Sequence, residues 1–269
     1  MTDASPDTGP ESGAQTSPAF RPKVARITTD DLRAALALGW SDFKRAPAFG
    51  LFFSAVYVLG GLAMVYILMA TGKSWATLPI IVGFPLIGPF AAVGLYEVSR
   101  RLQTGEPLDW GAVLGVVLAE KNRQMPSMAA VILIFFLFWN FLAHMIFALF
   151  LGLAVMTNIT SSFAVFLTPN GMMMLLVGTG VGAVLSFVLY GITVVSLPLL
   201  LDKEVDFVTA MITSFSAVTE NLRVMLSWGV LVAVLLLVGM VPAFLGLLLV
   251  LPLLGHATWH LYQRVITAA

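Results

Sequence analysis

The sequence predicts an all-α polytopic membrane protein: six transmembrane helices as three hairpins, each preceded by a short amphipathic interfacial helix. Three observations predict it. Apolar residues make up 59% of the chain and charged residues 10%, with a mean hydropathy of +0.96, whereas a soluble domain carries about 25% charged residues. The apolar runs exceed what a core helix needs and reach the ~20 residues that cross a bilayer. The charges fall between those runs and hardly ever within them.

Residues 1–22 are rich in Pro, Ser, Gly and Thr and contain no apolar core of a signal peptide. They read as a disordered cytoplasmic tail. Residues 23–269 then read as a single six-span helical membrane domain. Within 49–98 the only charges are Lys73 and Glu97. That stretch suits two spans, broken at "ATGKSWATLP". Residues 127–156 supply a third span and 171–200 a fourth, with the uncharged 157–170 loop between them. Residues 225–265 supply two more, broken near Gly239-Met240-Val241-Pro242.

With the N-terminus inside, the segments 1–48, 99–126, 201–224 and the C-terminus hold every Lys and Arg except Lys73, or 13 of 14. This positive-inside bias predicts both termini in the cytoplasm of a bacterial inner membrane. Three of those inner segments share a pattern: "DLRAALALGWSDFKR" from Asp31, "DWGAVLGVVLAEKNR" from Asp109 and "DFVTAMITSFSAVTE" from Asp206. Apolar residues recur at helical spacing, as Leu32, Leu36, Trp40 and Phe43; Trp110, Val113, Leu114 and Val117; Phe207, Met211, Phe215 and Val218. Each Asp is placed to cap a helix lying at the inner interface, with Asp42 on the exposed side.

The even-numbered spans carry Leu95-Tyr96, Leu189-Tyr190 and Leu261-Tyr262 near their inner ends, although the chain has only five tyrosines. "PLIGPFAAVGLY" also parallels "PLLGHATWHLY". Three repeats are expected, over 29–99, 107–201 and 204–265.

Few residues offer chemistry. His256 and His260, in "LPLLGHATWHLYQRV", stack on one helix face. An HxxxH pair can ligate a metal or haem. The first repeat has Pro89 and roughly Gly94 in those places, and the only other histidine is His144. The favoured reading is therefore hydrogen bonding at the interface, with His256, His260 and His144 as minor cofactor candidates. Neither a metal nor another cofactor is expected. Asn140 and His144 should face the bundle interior, because lipid exposure is costly. Glu97 is expected to pair with Arg100 and Arg101. The glycines and prolines of "GFPLIGPF" (83–90) could break the second span but more often kink a helix. "VGTGVG" (177–182) is a packing face. Asn158-Ile159-Thr160 matches a glycosylation acceptor, incidental in a bacterium. Zero cysteines exclude a disulfide framework and cysteine nucleophiles. No catalytic motif is present, and a net charge of zero gives no reason to expect nucleic acid.

"DLRAALALGWSDFKRAP", "GFPLIGPFAAVGLYEVSRRLQTGEPLDW", "SLPLLLDKEVDFVTAMITSFSAVTENLRVM" and "LPLLGHATWHLY" together resemble a proteobacterial family of integral membrane proteins of unknown function, over roughly residues 25–266. Some of its members bear the label of a cytochrome c oxidase subunit. Three histidines are too few for a haem–copper catalytic subunit, and the lack of cysteine excludes a cysteine-rich copper subunit. What the resemblance implies is a non-enzymatic accessory or assembly partner of membrane components, such as a respiratory complex. A small permease or lipid-handling protein is the alternative, and a haem or metal protein the third reading.

Overall fold

The computed structural model of the chain describes residues 22–72, 78–152 and 163–268. The predicted tail, the Lys73 turn and the Asn158 motif lie outside the described residues, apart from Pro22. A short strand, Pro22–Val24 (β1), leads into α1 (Thr29–Arg45), α2 (Pro47–Thr71) and α3 (Leu78–Thr104). After α4 (Trp110–Ala119) come α5 (Met125–Leu151), α6 (Pro169–Thr193) and α7 (Ser196–Asp202). The chain ends with α8 (Phe207–Glu220), α9 (Leu222–Met240), α10 (Leu247–Val265) and the strand Ile266–Ala268 (β2). β1 and β2 pair antiparallel, with Val24 opposite Ile266.

Among the described residues, four helices are long and apolar enough to cross a membrane: α2, α5, α6 continued through α7, and α9. The other two expected spans, α3 and α10, fall outside that group. α10 is apolar to Leu254, then turns polar through His256, His260, Gln263 and Arg264, while α3 carries Glu97, Arg100 and Arg101 in its last turns. Within these polar halves Glu97, Ser99, His256 and His260 are buried against protein.

Local chemistry explains the boundaries. α1 opens on a capping box, in which Asp31 accepts from the backbone and hydroxyl of Thr28 at 2.8 and 2.9 Å. Thr28 is thus the cap and Asp31 the third helical residue, not the cap expected from the sequence. Asp109 and Asp206 do cap α4 and α8, accepting from Ala112 N and Thr209 N at 2.9 Å each. α6 bends before α7 because Pro198 cannot donate to the carbonyl of Val194. The Ser214 hydroxyl enters the opened turn, donating to Gly191 O (2.6 Å) and accepting from Val195 N (3.1 Å). The expected break before α10 is a turn in which Ala243 and Phe244 take positive φ.

The short helices dock in a regular way. α4 packs on α3, α8 on α6, and α1 on α10. The α1–α10 contact is the closest, since a Cβ on Gly39 would stand 2.6 Å from Ala257 N. Asn221 holds the N-terminal segment against this end, accepting from Ile27 N (2.9 Å) and donating to Ala25 O (3.0 Å). Arg123 joins α4 to the segment before α8 by bonding both Glu120 and Glu204.

Candidate functional site

The paired histidines of α10 meet α3 in two rungs. His256 Nδ1 lies 2.8 Å from Ser99 Oγ, and one turn on, His260 Nδ1 lies 3.0 Å from Gln103 Nε2. Matching i, i+4 spacing on both helices creates the ladder. The far side of His260 belongs to α1, with Nε2 2.7 Å from Asp42 Oδ2. The indole of Trp259 can only donate, and it donates to Gln103 Oε1 at 2.9 Å. That contact fixes the amide orientation. Gln103 Nε2 therefore donates to Gln263 Oε1 (2.8 Å) and to His260 Nδ1. His260 must then carry its hydrogen on Nε2, aimed at Asp42. Beside the ladder, Glu97 receives Arg100 and Arg101, and Arg100 extends the pairing to Glu106 at 2.8 Å. Hydrogen bonds from Arg100 hold the Glu106 carboxyl below the usual carboxylate range.

This geometry corrects two expectations. The histidines are not solvent-touching at the interface: His256 is 0% and His260 2% exposed, because α1 and α3 cover that face of α10. Asp42, read as exposed, is buried with them. His144 departs from expectation in the other direction. It is exposed, and its Nδ1 lies 2.7 Å from the carbonyl of Asn140, while Asn140 donates to Phe136 O at 3.0 Å. Each makes one hydrogen bond to the backbone of its own helix, which lowers the cost that should have turned them inward.

The arrangement is a poor ligand set. Both ring nitrogens of His260 are engaged. Among the described residues no three His, Cys, Asp or Glu side chains gather as metal ligands. Ser99 and Asp42 also address different histidines, so no nucleophile–base–carboxylate relay forms. What the ladder can do is join α1, α3 and α10 within the interior. The sequence reading missed Asp42, Ser99 and Gln103. Ser99 and Gln103 could have been found, because they repeat the four-residue spacing of the histidines.

A second feature left no signal in the sequence. A cavity of about 580 Å³ lies among all the long helices, touched by Met64 of α2, Pro89 of α3, Phe136 of α5, Leu189 of α6 and Leu247 of α10. Its walls are almost wholly carbon. The hydroxyl of Tyr57 donates to Gly88 O at 3.0 Å, and that of Thr193 to Leu189 O at 2.7 Å. The prolines of "GFPLIGPF" do not interrupt α3; Gly88 and Pro89 form one wall of the cavity instead.

Residues 77–202, from the start of α3 to the end of α7, match the family described as "Predicted integral membrane protein (DUF2189)". The chain is an integral membrane protein with several apolar helices. No curated protein and no solved structure matches it.

Proposed function

We propose that this chain is a non-enzymatic six-span protein of the bacterial inner membrane, with both termini cytoplasmic, that holds a lipid-class molecule between its helix pairs. The observation that carries the reading is the 580 Å³ apolar cavity. Its volume is in the range of small-molecule sites. Water is poorly served there, because a water needs two to four polar partners and the walls are almost wholly carbon, with the Tyr57 and Thr193 hydroxyls already donating to backbone carbonyls. Among the described residues, no charged side chain lines it. A permease for polar solutes is disfavoured on the same ground. The accessory role needs no cavity at all.

Six spans are supported by the lengths of α3 and α10 and by the way their polar halves are paired and sheltered by α1. The inward orientation of the termini is supported by the distribution of basic residues.

The test is purification in mild detergent, followed by solvent extraction and mass spectrometry. A hydrophobic compound should be enriched over the bulk membrane lipids and lost in Met64→Trp, which fills the cavity. Bulk lipids alone, in membrane proportions and unchanged in the variant, would sink the reading. An absorption spectrum of the same sample guards the haem alternative: a Soret band abolished in the His256→Ala/His260→Ala double variant would replace it. Stoichiometric recovery of a respiratory complex would favour the accessory role.

A further inference from the structure

The charges of α1 do not balance on the helix that carries them. Each of its acids is engaged: Asp30 with Arg33 at 2.9 Å, Asp31 with Thr28 and, at 3.6 Å, with Arg264, and Asp42 with His260 at 2.7 Å. Further along the chain, Glu97 meets Arg100 and Arg101, Glu120 and Glu204 meet Arg123, and Asp202 meets Lys203. Lys44 and Arg45 are different. Both are exposed, and among the described residues neither forms a hydrogen bond or an ion pair. Their place in the last turn of α1 suits the dipole of that helix but supplies no counter-charge. One turn before Lys44, on the same face, Trp40 is 43% exposed, and its indole N–H has no acceptor among the described residues. Two residues beyond Arg45 the chain enters α2, whose Ala48, Phe52 and Leu59 are exposed along one face. Beside that entry Trp110 of α4 stacks on Phe49, with ring centroids 3.9 Å apart, and is itself 40% exposed. Two exposed tryptophans thus flank the start of an apolar span, at the level that this residue type favours in a bilayer.

The other short helices serve as an internal comparison. At the place of Trp40, nine residues after Asp109 and Asp206, α4 and α8 leave Leu118 and Phe215 exposed. Neither helix follows with free cations. The places of Lys44 and Arg45 fall to Asn122 and Arg123, the latter already bonded to Glu120 and Glu204, and to Thr219 and Glu220.

We infer that the corner between α1 and α2 holds the headgroup of one anionic phospholipid, with its phosphodiester at Trp40, Lys44 and Arg45 and its acyl chains along Phe52 and Leu59. Charge complementarity decides the class. A zwitterionic headgroup brings an ammonium of its own, which two uncompensated cations repel. An anionic headgroup brings only acceptors. The guanidinium can take two phosphate oxygens at once, the ammonium acts as a point charge, and the indole can only donate. Each basic residue near an anionic bilayer surface contributes ~5-fold in association. A soluble anion could use the same cations but would leave Phe52 and Leu59 unused. The site is separate from the central cavity, which none of these residues lines. It needs only that α2 cross the membrane, for which that helix is long and apolar enough.

Native mass spectrometry of the full chain in detergent, delipidated and titrated with dioleoyl phosphatidylglycerol or dioleoyl phosphatidylcholine, tests this. The first phosphatidylglycerol should bind at least ~5-fold tighter than the first phosphatidylcholine. Lys44→Gln/Arg45→Gln should bring that ratio close to one. The exchanged pair Lys44→Arg/Arg45→Lys should keep it. Both double variants alter exposed positions and should leave the thermal midpoint unchanged. Lys121→Gln is the control: Lys121 is likewise exposed and without a partner among the described residues, but no exposed tryptophan precedes it on its helix. It should leave the ratio intact. Glycerol 1-phosphate, a headgroup without chains, should not displace the lipid. Equal affinity for the two lipids would overturn the inference, as would a ratio that survives Lys44→Gln/Arg45→Gln. Equal losses at Lys121 would reduce it to a general surface charge, and displacement by glycerol 1-phosphate would make it a site for soluble anions; either result rejects it. A ratio lost in Met64→Trp would put the lipid in the central cavity, so that the cavity reading stands and this one falls. A ratio intact in Met64→Trp, with no hydrophobic compound enriched on the unaltered chain, would sink the cavity reading and leave this one standing.

Discussion

Asp42 and His260 show how far one contact can move a residue from where its type suggests. An aspartate on an amphipathic helix belongs in water, yet this one is buried, with its carboxylate 2.7 Å from His260 Nε2. Removing one partner of a buried polar pair leaves the other unsatisfied, at a cost of about 1–3 kcal/mol. Asp42→Ala should therefore lower the thermal midpoint of the detergent-solubilised protein. Asp42→Asn should lower it less, because its amide oxygen still accepts from Nε2–H. A midpoint unchanged in Asp42→Ala would show that the pair carries no stability. His256 differs in that its Nε2 is buried without a hydrogen bond of good geometry, so its ring is held by Ser99 on one side only.

The three short helices were legible as elements, but their buried faces only in part. Leu32 and Phe43 of α1 are buried as expected, while Trp40 is 43% exposed. The face of α1 that docks runs through Ala35 and Gly39, small residues that let the backbones approach. On α8 the docked residues are Ala210, Ser214 and Ala217, with Phe215 set against Gly191. Small residues carry no hydropathy signal, which is why the pattern pointed to the large ones. Gly39→Leu should then abolish folded yield in the membrane, whereas Trp40→Leu should leave it nearly normal; equal yields would contradict the docking. The caps make a separate expectation. Asp109→Ala should cost about 1 kcal/mol through loss of the α4 cap, read as a lowered midpoint. The carboxyl of Asp206 is held below the ordinary carboxylate range by the side chain and then the backbone of Thr209, and that of Asp31 by Thr28. The folded state thus favours the ionised form. Its contribution is present above the ordinary pKa of about 3.9 and fades as the pH falls through the lowered value. Asp206→Asn, which still caps, should flatten the acid limb of a midpoint-versus-pH curve; an unaltered limb would count against the cap.

At the scale of the molecule the docking is cyclic. α4 rests on the long helix just before it and α8 does likewise, while α1, the first of the described helices, takes the last one, α10. The β1–β2 pairing and the Asn221 contacts join the chain ends at the same place. Under the proposed topology, cysteines at 73, 165 and 242 should react with a periplasmic reagent, and those at 115 and 210 should not. Reaction at 115 or 210 from outside would refute it.

The sequence by itself determined that the chain lives in a membrane, where its long apolar helices begin and end, and that short helices with polar starts lie between them. Those properties are local: a run of apolar residues, a capping aspartate and a Gly-Met-Val-Pro break act through neighbours a few positions away. Only the tertiary structure decided that His256 and His260 face Ser99, Gln103 and Asp42, across separations of 157 and 218 residues. It alone opened the cavity among the long helices. Contacts between distant segments depend on how helices cross. An empty space is the absence of side chains that the surrounding residues, each ordinary in a membrane helix, give no reason to expect.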